Sequence, residues 1–277
     1  MVQNFHLPPT GFGPGSQADE AEDFDYMALP SGMRTYSAHM PEVEDATPLA
    51  PALALLAEIA AAAEVVAQGM PPQSFDLSGL DAANRALMAE TLGQGEVSVR
   101  ARGVPAVAMQ ESVFAGVWVL KAEGIDRVEV GPVPGLARTR AFLPVRPAIG
   151  ALARRAPGVV NAPALLAELM DKSMQWQGPQ DLHVVNLTLL PHTEEDLVWL
   201  AEALGEGSVT ILSRGYGNCR VSATAQANVW RVQFFNSMDT LILDTFEVTD
   251  MPEVALAAPE DLTDSAERIR EVLEAIR

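Results

Sequence analysis

The chain has 277 residues, 48% of them hydrophobic and 20% charged, a composition typical of a folded protein rather than a disordered one. Its formal net charge of −19 comes from 37 acidic and 18 basic residues. A surface of that sign repels phosphate, which argues against nucleic-acid binding and against insertion into anionic membranes. The single cysteine, Cys219, excludes an intramolecular disulfide and fits a reducing cytoplasm.

The first 49 residues differ from the rest of the chain. Residues 1–49 are acidic and rich in proline and glycine, and they lack apolar periodicity, which predicts a flexible tail. A basic region followed by an apolar one is absent from the first 30 residues, so we expect no secretory signal. Aromatic and methionine side chains are spaced through the tail, for example Tyr26 and Met27 beside Asp25. They either dock the tail on the protein body or anchor a partner protein.

The body of the chain repeats itself. Residues 88–103 (MAETLGQGEVSVRARG) and 200–215 (LAEALGEGSVTILSRG) share eight identical positions at a constant offset of 112, which also carries Trp118 onto Trp230. Self-similarity of this kind predicts two tandem homologous repeats. We place repeat 1 at 50–135, an Arg-rich linker at 136–160, and repeat 2 with a C-terminal helix at 161–277.

Each repeat is predicted to follow one order of elements, and the ranges of the first copy precede those of the second. A helix (52–67; 162–176) precedes a short strand (74–80; 183–190) and an amphipathic helix (81–92; 193–204). Four strands follow (96–102, 106–110, 113–121, 127–133; 208–213, 219–224, 228–235, 240–248), and a last helix covers 263–276. Short strands joined by short turns favour antiparallel pairing, so the predicted class is α+β, with helices packed on a small antiparallel sheet in each repeat. The apolar stretch 51–70 contains Glu58 and Glu64 and is interpreted as a soluble helix.

Motifs for metal or nucleophilic chemistry are missing from the sequence. Four dispersed histidines and one cysteine do not have metal-ligand spacing, and the chain lacks a Gly-x-Ser-x-Gly elbow. We therefore predict no metal, no cofactor and no catalytic residue. The segment SRGYGNCR is interpreted as a partner-binding surface formed by Arg214, Tyr216, Asn218, Cys219 and Arg220. Trp230 either packs in the core or contributes to that surface. The alternative for Cys219 is a small buried side chain in a strand.

Several segments resemble the HupH/HyaF family of hydrogenase expression/formation proteins. They are DYMALPSGMRTY near the start, SRGYGNCR, NVWRVQFFNS and LILDTFEV, and the resemblance extends over nearly the whole chain. It implies an accessory, non-catalytic protein of NiFe-hydrogenase maturation that acts on the iron–sulfur small subunit before twin-arginine export. One departure is Val119, which follows Trp118 where an arginine is expected; Arg231 keeps that arginine after Trp230.

The charge and the resemblance together predict a cytoplasmic chaperone. Its acidic surface and tail would bind the basic, apolar-rich precursor of the hydrogenase small subunit. A second maturation chaperone is a further candidate partner. Two alternatives stay open at this point: a scaffold that joins other accessory proteins, and a carrier that uses the Cys219 thiol to hold a metal-site intermediate.

Overall fold

The structure is a computed structural model, and it describes residue 41, residues 45–214 and residues 218–276. Most of the predicted tail, including Asp25, Tyr26 and Met27, lies outside the described residues, as does Tyr216. The predictions for those residues therefore stay predictions.

The described part of the chain forms six α-helices and ten β-strands, which confirms the predicted α+β class. The helices are α1 (Ala50–Ala67), α2 (Ala82–Leu92), α3 (Gly135–Thr139), α4 (Ala162–Gln175), α5 (Glu194–Leu204) and α6 (Pro259–Ile276). The strands are β1 (Gln73–Asp76), β2 (Val97–Ala101), β3 (Val107–Glu111), β4 (Val117–Ala122), β5 (Ile125–Val130), β6 (His183–Asn186), β7 (Val209–Ser213), β8 (Asn218–Ala223), β9 (Val229–Phe235) and β10 (Leu241–Val248). Strand, helix and four further strands therefore follow a long first helix in each half.

All ten strands lie in one antiparallel sheet of order β1-β5-β4-β3-β2-β7-β8-β9-β10-β6. The expectation of a separate small sheet in each repeat was wrong, because β2 and β7 satisfy each other's backbone groups instead of remaining edge strands. In this pairing Val99 lies opposite Ile211, and Val97 lies opposite Ser213. The partner of Val99 is the residue 112 positions later, so the junction is self-complementary, as the interface of a two-fold symmetric homodimer is.

Equivalent backbone contacts occur in the two halves. The Gly95 N–H donates to the Glu111 carbonyl at 2.7 Å, and the Gly207 N–H donates to the Ala223 carbonyl at 3.0 Å, with both partners shifted by 112 residues. A Cβ atom on Gly95 would lie 2.1 Å from the Ser112 carbonyl oxygen, and one on Gly207 would also meet backbone oxygens below 3 Å. The backbone approaches so closely that only glycine fits, which explains why this residue appears in both halves.

The helices cover one face of the sheet at its two ends. Helices α1, α2 and α6 pack on the first half, and α4 and α5 pack on the second. The opposite face carries a third core along the central strands, closed by the segments around Ala137 and Met251. On the helical side, the central strands β3, β2, β7 and β8 contribute to neither helical core.

The segment that follows each half packs against the other half. Helix α6 follows β10 in sequence but lies along α1 of the first half. Its Ser265 Oγ donates to the carbonyl of Ala115, in the loop between β3 and β4, at 3.0 Å. Conversely, the chain after β5 reaches the second half, where the Trp199 indole N–H donates to the Ala153 carbonyl at 3.0 Å. These reciprocal contacts join the halves beyond the β2–β7 pairing.

Helix α1 is the apolar stretch of the sequence. Among the described residues, one helical segment, Thr47–Ala67, is long and apolar enough by length and composition to cross a membrane. In this fold Leu56, Ile59 and Ala63 on that helix have no exposed surface, because they pack in the first helical core. Burial of this kind is what a core helix of a folded domain shows.

Candidate functional site

The predicted partner-binding hairpin joins β7 to β8, and its side chains divide between the two faces of the sheet. Arg214 is exposed at its start. Asn218 and Arg220 lie on the helical face of β8: the Asn218 amide donates to Asp239 at 2.8 Å, and the Arg220 guanidinium lies 5.6 Å from the centre of the Phe235 ring. Side chains alternate along a strand, so Cys219 points to the opposite face. The hairpin therefore brings two of its predicted residues together and separates the thiol from them.

Cys219 is a buried core residue. Its side chain is 5% exposed and packs in the central core beside Val221. Burial, with the nearby charge of Glu247, raises the pKa of the thiol to about 11. Because the thiolate is the form that binds metals and attacks electrophiles, this environment suits neither role. The prediction that Cys219 belongs to a partner-binding surface was wrong for the same reason: its side chain does not reach the surface.

Trp230 is fully buried as well, so its prediction as a partner-binding residue was wrong. Its indole N–H donates to the Thr249 carbonyl at 3.2 Å, and the ring meets Phe142 edge to face at 5.2 Å. Trp118 makes the corresponding bond to the Gly131 carbonyl at 3.0 Å. Core packing, the other interpretation of these residues, is what the structure shows.

Arg231 has a structural partner. Its Nε and one terminal nitrogen bond both oxygens of Asp244, at 2.9 and 2.6 Å, and Asp244 is buried. A two-point bond between a guanidinium and a carboxylate fixes geometry strongly, so the pair ties β9 to β10. Val119 occupies the corresponding position of the first half, which therefore lacks this tie.

The uncovered centre of the sheet carries an open basic face, which we define as the exposed side chains of Arg100, Lys121 and Arg220. Arg100 and Lys121 both lie opposite Ala108, and the register of the following strands places them on one side of the sheet with Arg220. Within the described residues none of the three forms an ion pair. Arg100 and Lys121 were missed in the sequence because residues on separate strands come together only once the register is known.

The sheet ends in the second half at an exposed apolar surface. Strand β6 is the last strand, and it pairs with β10 only over Thr245–Val248. The first residues of β10 extend past it, where the Asp244 N–H donates to Thr188 Oγ1 at 2.9 Å. Six apolar side chains along this border are exposed, and we call them the apolar edge: Leu182 (52%), Val184 (48%), Leu189 (80%), Leu190 (38%), Leu241 (43%) and Ile242 (56%).

Carboxylates lie beside the apolar edge. The segment 161–207 carries eight acidic residues and one basic residue, Lys172, but two of the eight are engaged elsewhere, since Asp196 is buried and Glu206 pairs with Arg102. Glu168 contacts the His183 ring at 2.7 Å, and Glu247 lies directly opposite Val184 with its pKa raised by burial. Exposed apolar groups of this extent on a folded protein commonly mark an interaction site.

At the opposite end of the sheet, the described residues of the last strand are mostly polar. Its last strand, β1, carries Gln73 and Ser74, which are exposed and polar, and two prolines precede it at 71–72. Polar side chains and prolines at an edge discourage pairing with another chain. The two ends of the sheet therefore differ in their suitability for binding.

Comparison with known proteins identifies relatives along the whole chain. The family model "HupH hydrogenase expression protein, C-terminal conserved region" matches residues 49–141 and 159–276. The hydrogenase expression/formation protein HupH of Rhodobacter capsulatus is 67% identical over 277 residues, covering 100% of both chains. The hydrogenase-1 operon protein HyaF of Escherichia coli K12 is 31% identical, covering 97% of this chain and 95% of its own.

A solved structure is also similar: the hydrogenase expression protein HupH from Thiobacillus denitrificans, at 28% identity and a TM-score of 0.37, covers 42% of this chain and 94% of its own. The family model spans well over half of the described body, and full-length relatives share 31% to 67% of their residues with it. The chain therefore belongs to the HupH/HyaF family of hydrogenase expression/formation proteins, as the motifs of its sequence indicated.

Proposed function

We propose that this protein is a cytoplasmic, non-catalytic chaperone that binds the precursor of the hydrogenase iron–sulfur small subunit before its twin-arginine export. The observation that carries the proposal is the apolar edge within its acidic surroundings. Relatives named as hydrogenase expression/formation proteins support a role in maturation. A precursor with a basic signal segment and apolar surface that is not yet buried has the complementary chemistry.

The proposal includes an origin of the two halves as copies of one unit. The eight shared positions, the equivalent hydrogen bonds of Gly95 and Gly207 and the two segments matched by one family model support it. The copies then differ where binding is expected: the first ends in the polar strand β1, and the second ends in the apolar edge. In this proposal the second copy supplies the partner-binding surface, and the first copy contributes its strands to the shared sheet.

Capture of the purified small-subunit precursor by this protein tests the proposal. We expect capture at low salt that weakens at high salt, and weaker capture of a precursor without its basic signal peptide, because exposed charges are screened by ions. Cys219→Ala serves as a control and is expected to retain full capture. Capture that does not depend on salt would contradict the electrostatic part of the proposal. Absence of capture under every condition would contradict the proposal as a whole.

The open basic face favours a second function, that of a scaffold. Three exposed cations without ion-pair partners among the described residues, on a chain of charge −19, form a surface that attracts an acidic segment. Stable co-purification with another accessory protein, without the precursor, would favour this function. The buried thiol of Cys219 gives no comparable support to the carrier alternative.

A further inference from the structure

We propose that β6 binds an extended segment of the precursor as an added strand, and that the segment combines apolar side chains at alternate positions with basic ones. This inference rests on the proposed function and names how the partner is held. Addition of a peptide strand to an open sheet edge is a recurrent mode of recognition, in which backbone hydrogen bonds supply affinity and side-chain sites supply specificity.

The backbone of β6 is available on its outer side. In the described part of the chain β10 is its sole strand partner, so the backbone groups that point away from β10 face outward. Leu182 comes directly before β6, with φ of −50° and ψ of 123°, and Val184 lies within the strand. Both are about half exposed. An added strand would cover these two side chains and pair with the free backbone groups at the same time.

A cavity beside β6 offers a further contact. It has a volume of about 280 Å³ and is lined by Lys172, Gln175, Trp176, Asp181, Leu182 and His183. The cavity shares Leu182 with the apolar edge and His183 with β6, so one segment can reach both.

The charges around the edge select a basic segment. Asp181 lies in the cavity, Glu168 lies on the adjoining helix beside His183, and Glu247 is the cross-strand neighbour of Val184. Lys172 is the single basic residue of the surrounding segment 161–207. Carboxylates in such an excess attract basic side chains and disfavour acidic ones. A second copy of this chain, whose own edge is equally acidic, fits the surface less well.

Val184→Lys tests the inference against a matched control. The variant places a charge on the edge, which natural proteins use to prevent strand addition, and it repels a basic segment. We expect the Kd for the full-length precursor, measured by calorimetry with the full chain, to rise about tenfold or more. The control is Ser74→Lys on β1, since Ser74 lies opposite Glu129 as Val184 lies opposite Glu247, and it is expected to leave the Kd unchanged.

An additional variant separates lost binding from lost folding. Val184→Thr keeps the branched shape and is expected to retain most of the affinity. Unchanged affinity of Val184→Lys, or equal losses in Ser74→Lys, would overturn the inference and leave the proposed function standing. If the wild type forms a dimer and Val184→Lys dissociates that dimer, the apolar edge binds a second copy of the chain, and the inference is overturned. Absence of precursor binding by the wild type would overturn both.

Discussion

Replacing Asp196 with alanine is expected to lower the free energy of unfolding by about 3–4 kcal/mol, because this one carboxylate holds the first turns of two helices. Asp196 is 1% exposed. Its Oδ1 accepts from the N–H groups of Val160, Asn161 and Ala162 at 2.8–3.0 Å, at the start of α4, and Oδ2 accepts from the Thr193 N–H at 3.1 Å, at the start of α5. The variant would leave four donors without their acceptor. Urea unfolding at neutral pH measures the loss.

The contribution of Asp196 is also expected to depend on pH. Burial alone would raise its pKa, but the hydrogen bonds from the four N–H groups outweigh burial and hold the pKa at about 2, below the ordinary 3.8. The folded state therefore binds this proton less readily than the unfolded state, so the stabilisation is complete above about pH 4 and is lost as pH falls toward about 2.

Asn84 provides the control for that pH dependence. It occupies the position 112 residues earlier, and its Oδ1 accepts from the Ala52 N–H at 2.9 Å, at the start of α1. Asn84→Ala is expected to destabilise the protein with a smaller change in acid sensitivity than Asp196→Ala, because the amide does not titrate and affects pH dependence only through its 2.9 Å bond to the Asp81 carboxylate, whose pKa it helps to lower. Equal acid sensitivity of the wild type and Asp196→Ala would contradict this account of Asp196.

Replacing Glu111 with glutamine is expected to raise the free energy of unfolding above pH 7 by about 1–3 kcal/mol. Glu111 is 8% exposed, and its Oε1 accepts from the Gly116 N–H at 3.0 Å, a bond that the glutamine carbonyl retains. Burial, with the charges of Asp261 and Glu96, raises the pKa of the carboxyl from 4.5 to about 7. An ionised Glu111 at alkaline pH is therefore unfavourable in the folded protein.

The sign of the pH effect follows from the raised pKa. Between pH 4.5 and about 7 the folded state keeps the proton that the unfolded state has lost, so wild-type stability declines as pH rises through this interval. Glu111→Gln is expected to abolish the decline and to match the wild type near pH 4. Denaturant unfolding from about pH 4 to 8.5 measures this difference in stability, with the exposed Glu123→Gln as a control for removing one negative charge. The same gain from both variants would contradict a specific effect of burial.

Helix ends and element order could be predicted because their signals are local. The second helix of each half ends at a Leu-Gly pair in the sequence, and Gly93 and Gly205 at these ends have φ of 53° and 67°, which favours glycine. Two strands were predicted too long for an equally local reason. The Asp76 carboxylate accepts from the Ser78 N–H at 3.0 Å and ends β1, and the Asn186 amide oxygen accepts from the Leu189 N–H and ends β6.

The joined sheet and the apolar edge depend on contacts between distant residues. No residue close to β2 in the sequence indicates that β7 is its neighbour in the sheet. The self-complementary register of the β2–β7 pair is recognisable only once the two strands are paired. The alternation in β8 did contain a usable signal, because Cys219 and Val221 share one face and Arg220 lies on the other. Leu182, Val184 and Ile242 look like ordinary core residues until the strand order places them at the border.

Amide hydrogen exchange on the full-length protein, alone and with the small-subunit precursor, tests the central claim most directly. New backbone hydrogen bonds and burial slow exchange, so we predict protection of residues 182–190 and 241–244 in the complex, with no change over 73–76. Protection confined to β2, β7 and β8 would place the partner on the open basic face instead. Unchanged exchange along the second-half border in a formed complex would contradict the claim that the apolar edge binds the precursor.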